Sequence, residues 1–199
     1  MTLLELDIPH SIEFVDIYSQ PHVLLASGAA YENVNPKNAV PALDLGNGEI
    51  LTEVGVILQL LGDLRPQSTL LPRPGTLGRY RVMEWLSYVG SDVHKTIGPL
   101  FNPAMPEEAK ALHRQNLNRR LTYIERRLAT TQYLSGAHFT VADAYLFVMI
   151  GWKPYFKFDL APYPSLKEYH DCISTRASFL RMQELIAPIL GRLTLPAFP

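Results

Sequence analysis

A partner for Cys172 is missing from this chain of 199 residues, so no internal disulfide can form. An excess of either charge is missing too. Eighteen Lys and Arg face nineteen Asp and Glu, for a formal net charge of -1. That balance removes the electrostatic footprint of a nucleic-acid binder. There is no run of basic residues and no basic amphipathic helix to hold a membrane surface. No apolar stretch approaches the roughly 20 residues needed to span a bilayer. The opening Met1-Thr2-Leu3-Leu4-Glu5-Leu6-Asp7 has neither the charged nor the apolar region of a secretory leader. These absences point to a cytoplasmic protein with no nucleic-acid or membrane partner. Apolar residues make up 47% of the chain, enough for a real core.

Two halves of different texture follow. Residues 1 to 64 are short, mixed and rich in turn signals; 65 to 75 are dense in Pro and Gly and read as a linker; 76 to 199 are mostly helical in pattern. In the first half, Met1 to Leu6 reads as the end of a helix stopped before Pro9. Ile12 to Ile17 alternates like a strand, and Gln20 to Tyr31 reads as a loop or weak helix. Val40 to Leu45 and Glu49 to Leu51 read as strands joined by Gly46-Asn47-Gly48, whose residues accept positive φ. Thr52 is expected to cap a helix with an apolar face of Val56, Ile57, Leu60 and Leu61.

In the second half a long helix is expected over Leu77 to about Val93. Pro106-Glu107-Glu108 opens the next, with proline in the first turn and acids at the positive dipole end. Leu117, Leu121, Ile124 and Leu128 form its apolar stripe. Thr140-Val141-Ala142-Asp143 is a capping-box variant before a helix that is apolar nearly all round, hence a buried one. Ser165 to Glu168 reads as a further capping box, and a last helical stretch runs to about Leu190.

The segment Asn35 to Leu45, closed by Thr52-Glu53-Val54, is the richest in chemistry. A strand entered through Pro41, a tight turn, a return strand and a helix opening on a carboxylate together build a small polar pocket. An X-Pro bond can be cis at modest cost, and a cis Val40-Pro41 would turn the Val40 backbone outward to pair with an extended peptide. Glu53 could face an ammonium, and the Val54 N–H, at a helix N-terminus, could take a carboxylate. The competing reading of Thr52-Glu53 is a plain cap and dipole partner.

With Asn35-Pro36-Lys37, Val40-Pro41-Ala42-Leu43 and Leu51-Thr52-Glu53 stand Glu84-Trp85-Leu86, His94-Lys95 and Pro99-Leu100-Phe101. Pro106-Glu107-Glu108 and the run Phe139 to Phe147 complete the set. In this order the chain resembles the glutathione S-transferases, nearest the bacterial beta class. The resemblance implies a mixed α and β protein, mostly helical. Its thioredoxin-like half would keep a three-strand remnant sheet, followed by an all-helical domain. It implies glutathione as substrate, an apolar electrophile as second substrate, a homodimer and no metal. For glutathione it implies contacts from Val40, Glu53, Val54, Ser87, Ser91 and His94, with Gln20 in place of a frequent lysine. Pro41 (cis), Thr140 and Asp143 would be structural.

The chain also departs from the family. It begins where the family's first helix is already under way, so the first strand and its activating Cys, Ser or Tyr are not in it. Three explanations stand open: a start internal to a longer protein, a short form whose Ile12–Ile17 strand pairs with the Val40 strand or another subunit, or a loosely held N-terminal half. His94 is then the one obvious group left to act on the thiol, as an auxiliary catalytic residue. Val54 replaces a frequent serine and keeps only its N–H. Cys172 is expected to be buried packing, and Tyr88 and Tyr145 core or wall residues. The expected function is transfer of glutathione to apolar electrophiles, or their reduction. The alternative is a scaffold dimer that binds without turnover, and an isomerase on the same fold is a third reading.

Overall fold

The computed structural model describes residues 1–156 and 158–190. The tail 191–199, part of the expected helical domain, lies outside the described residues. Helix α1, Thr2–Glu5, opens the chain. It is tied to the far end of the protein: Glu5 pairs with Arg176, and Arg181 donates to the Leu4 carbonyl.

Strand β1, Val15–Asp16, pairs antiparallel with β2, Val23–Leu24. Strand β3, Ala42–Asp44, pairs antiparallel with β4, Ile50–Thr52. The mixed α and β class matches expectation, but the three-strand remnant does not form. Its strands make two separate two-stranded sheets. The expected Ile12–Ile17 strand shrinks to two residues for a local reason. The Asp16 carboxylate accepts from the Tyr18 amide at 2.8 Å and the Ser19 hydroxyl at 2.7 Å. That turn bends the backbone out of an extended ladder. The chain returns through β2 rather than reaching β3. Between β3 and β4 the tight turn is present, with Gly46 at φ 78° and Gly48 at φ 90°.

Helix α2, Val54–Asp63, follows β4 directly. Its buried face is Ile57, Leu58 and Leu61, while Val56 is exposed. The apolar stripe is therefore rotated from the expected Val56–Leu60 side, because Gly62 meets Leu71. A Cβ on Gly62 would stand 2.6 Å from the Leu71 Cβ, so only glycine allows this approach. The Pro-rich segment after α2 is firmly held. Leu70 and Leu71 are buried, and Arg79 grips Asp63 in a two-pronged pair at 2.7 and 2.9 Å.

Helix α3, Leu77–Tyr88, begins on the Thr76 hydroxyl, which accepts from the Arg79 amide at 3.2 Å. It runs into a π-helical segment, Val89–His94, then α4, Lys95–Ile97. Helix α5 spans Glu107–Leu128, with Leu117, Leu121, Ile124 and Leu128 buried. Helix α6, Val141–Gly151, is the buried core helix. Its capping box is closed: Asp143 accepts from the Thr140 amide at 2.8 Å, the Thr140 hydroxyl at 2.7 Å and the Leu134 amide at 2.9 Å. Helix α7, Pro164–Ser174, does not cap itself from Ser165 and Glu168. The carboxylate comes from α5 instead, where Glu125 accepts from the Ser165 and Leu166 amides at 3.0 and 2.8 Å. Helix α8, Ala177–Leu190, packs on α1 and α7. No helix among the described residues is long and apolar enough to cross a membrane.

Candidate functional site

Buried Asn35 organises the loop that leads into β3. Its side-chain amide donates to the Ala39 carbonyl at 2.6 Å, and its Oδ1 accepts from the Lys37 amide at 3.1 Å. The buried Tyr31 hydroxyl reaches the same Ala39 carbonyl at 3.3 Å. With residue 39 pinned from behind, Val40 projects outward, 44% exposed and outside both ladders. The Val40-Pro41 peptide bond is cis, as is Gln20-Pro21.

Glu53 joins β4 to α2 with φ 72° and ψ 112°, a backbone conformation that residues with a Cβ rarely adopt. Its carbonyl accepts the amides of Val56 and Ile57 at 3.0 and 2.9 Å. The Val54 amide remains one of the orphan donors of the helix start. The Glu53 carboxylate meets Lys37 Nζ at 2.6 Å, and that ammonium also donates to the Thr52 hydroxyl at 3.0 Å. Hydrogen bonding and charge from Lys37 hold the Glu53 carboxyl below the ordinary carboxylate range. Thr52 therefore does not cap α2: it is the last residue of β4, and its hydroxyl is engaged by Lys37.

His94 closes the π-helical segment. Its Nδ1 lies 2.7 Å from the Tyr145 hydroxyl of α6, and its ring packs edge-on against Trp152 at 5.3 Å between centroids. Trp152 in turn meets Phe101 edge-on at 5.5 Å. Burial lowers the His94 pKa from its usual 6.5. The Tyr145 hydroxyl is pushed up to about 12, by burial and then by the negative charge of Glu53.

Other sequence-selected residues are less closely joined to this group. Ser87 and Ser91 are exposed on the same helical rod, and Ser91 donates to Asp92 at 2.8 Å. Gln20 is exposed in the turn between β1 and β2. Trp85 and Tyr88 cluster with Tyr123 instead of joining His94. A hollow of about 620 Å³ beside that cluster is lined by Trp85, Tyr88, Tyr123 and several arginines. Another of about 580 Å³ lies between α1 and α8. Neither is lined by Val40, Glu53 or His94. Cys172 is exposed on α7, not buried as expected, because the apolar face of that helix is Leu166, Tyr169 and Ile173. Among the described residues no three His, Cys, Asp or Glu side chains are placed to hold a metal.

Comparison with known proteins decides the family. Residues 1–64 match the N-terminal domain of glutathione S-transferases, and residues 91–179 match the C-terminal domain. Glutathione S-transferase GstA of Escherichia coli O157:H7 is 41% identical over 136 residues, 68% of each chain. This chain belongs to the glutathione S-transferase family. A glutathione S-transferase of the bacterial beta class from Sphingomonas chungbukensis superposes with a TM-score of 0.87 at 36% identity. The match covers 92% of this chain and 90% of that one. A sphingomonad glutathione S-transferase in complex with glutathione superposes equally well, TM-score 0.87 at 38% identity over the same shares.

Two side chains make contacts with the candidate residues that the sequence reading did not give them. Tyr145 lies in the core, as the core-or-wall reading expects, and its hydroxyl in addition touches His94. The signal was available: a tyrosine in a helix otherwise apolar all round must find a partner for its hydroxyl. Lys37 lay inside the Asn35-Pro36-Lys37 motif, but nothing in the pattern showed that its ammonium would meet Glu53 across 16 residues.

Proposed function

We propose that this glutathione S-transferase family member binds glutathione in the cleft between the Val40-Pro41 loop, the start of α2 and His94, and presents its thiolate to an apolar electrophile. The observation that supports this reading is the outward-facing main chain of Val40, 44% exposed beside the cis Val40-Pro41 bond, together with the Glu53 carboxylate at the start of α2. The Val40 N–H and C=O pair with the cysteinyl unit as a short added strand. Glu53 takes the γ-glutamyl ammonium, a position that Lys37 Nζ fills at 2.6 Å. The Val54 amide takes the γ-glutamyl carboxylate. Ser87, Ser91 and Gln20 are outer contacts.

Burial keeps His94 neutral near pH 7, so it offers the sulfur an N–H donor rather than a full positive charge. A donor at the thiolate lowers a thiol pKa from about 8.5. The thiolate then attacks the electrophilic carbon, an S–C bond forms, and the leaving group departs with its electron pair. The thiol proton passes to solvent. Phe101 and Trp152, packed edge to face beside His94, form the apolar wall for that second substrate. The protein acts in the cytoplasm as a homodimer. The exposed Leu77, Tyr80 and Tyr123 on α3 and α5 suit contact with a second copy.

Binding without turnover is the second reading, supported by the burial that lowers the His94 pKa and so withholds a full positive charge from the proposed sulfur position. The assay that separates the readings is conjugation of glutathione to 1-chloro-2,4-dinitrobenzene by the purified full chain. Turnover that falls in a His94→Ala variant supports the transferase. Binding with no turnover above the uncatalysed rate supports the scaffold.

A further inference from the structure

Resting on that reading of the cleft, the geometry points to Tyr145 as the residue that fixes the proton of His94: its hydroxyl donates to Nδ1, so that Nε2 carries the N–H facing the glutathione sulfur. The contact is 2.7 Å, and among the described residues His94 is the one hydrogen-bond partner of that hydroxyl. A neutral imidazole has one donor and one acceptor nitrogen. If Nδ1 carried the proton, the Tyr145 hydroxyl could only accept there, and its own hydrogen would be left unpaired on a side chain 7% exposed. An unpaired buried donor is costly, whereas donation to Nδ1 satisfies both groups at once.

The surroundings hold this arrangement. Tyr145 keeps its proton, its hydroxyl being pushed up to about 12 by burial and by Glu53. Its ring passes Gly90 so closely that a Cβ there would already be in van der Waals contact, at 3.7 Å. The imidazole is packed edge-on against Tyr145 at 5.8 Å and Trp152 at 5.3 Å, so the ring cannot flip freely. Tyr145 is thus a positioning residue, acting on sulfur only through His94, in the way that a second hydrogen bond orients a working histidine elsewhere.

The test uses the full-length chain, with Tyr145→Phe as the variant that keeps ring and packing. Long-range proton–nitrogen NMR of the histidine rings, with His94 assigned by its loss in His94→Ala, reads the tautomer directly without glutathione. The wild type should show protonated Nε2 and bare Nδ1, and Tyr145→Phe should show a tautomer mixture. Protonated Nδ1 in the wild type, or an unchanged ring in Tyr145→Phe, overturns the assignment. Thiolate absorbance of added glutathione supplies the second reading. Tyr145→Phe should cut the thiolate fraction roughly 2- to 10-fold, the worth of one hydrogen bond, and should change nothing in a His94→Ala background. An equal loss in that background would show Tyr145 acting directly on sulfur and overturn the positioning role. If glutathione fails to bind at all, the proposed function fails while the NMR result still decides the tautomer.

Discussion

Glu53 holds a backbone conformation that glycine would adopt without strain, at φ 72° and ψ 112°. Its exposed ion pair with Lys37 contributes little to folding. Retained strain of this kind points toward a functional role, and with the proposed glutathione contact it gives a prediction of opposite signs. Glu53→Gly should raise the melting temperature while weakening glutathione binding roughly tenfold or more, the loss of a charged hydrogen bond. Thermal melts and titration on the same sample check both. Asp143 is the contrasting residue, buried with every contact structural. Burial pushes its carboxyl up, while donors from Leu134, Thr140 and Tyr169 pull it back. Asp143→Ala should cost on the order of 3–5 kcal/mol, because several buried donors lose their acceptor together. Urea denaturation reads that loss. The Asp143 box was legible from Thr140-Val141-Ala142-Asp143 because a capping box is local. The Lys37–Glu53 pair was not, because the fold alone brings those two residues together.

Helix starts show the same division. The entry to α5 at Pro106-Glu107 and the stripe Leu117 to Leu128 follow from spacing alone. The entry to α7 does not, because its capping carboxylate belongs to Glu125, 40 residues earlier. Glu125→Ala should therefore destabilise the protein by about 1 kcal/mol, as loss of a cap does, whereas Glu168→Ala should be nearly silent. Paired chemical denaturation curves compare them. The π-helical segment was also hidden. Leu77 to Val93 reads as one continuous helix, and no residue pattern announces the wider turn at Val89–His94. Such turns concentrate at functional sites, and this one ends on His94, the histidine of the proposed site.

Across the whole molecule, order along the chain was the most legible feature: a mixed N-terminal half, a Pro-rich connection and a helical half around buried α6. Sheet pairing was the least legible. Ile12 to Ile17 carries a strand pattern, but the Asp16 turn cuts it short, and strand partners depend on contacts far apart in sequence. Stability as a function of pH belongs to this scale. Burial lowers the pKa of both His94 and His170 from 6.5. The folded state therefore binds fewer protons than the unfolded chain, so stability rises with pH. Their contribution is complete above about pH 6.5 and is lost as pH falls through the lowered folded values. For Glu5, burial pushes the carboxyl up, but hydrogen bonding and charge from Arg176 pull it further down, for a net lowering from 4.5. It adds a second loss below about pH 4.5 by the same sign. A series of melts should show a first decline beginning near pH 6.5, and His170→Phe should shrink it.

At the centre stands the claim that Val40, Glu53 and the Val54 amide grip glutathione within this one chain. Calorimetric titration of glutathione into the full-length protein, beside the Glu53→Gln variant, tests it most directly. The account predicts saturable binding at one site per chain that weakens roughly tenfold in the variant. Equal affinity in both proteins, or no heat of binding in either, would contradict it.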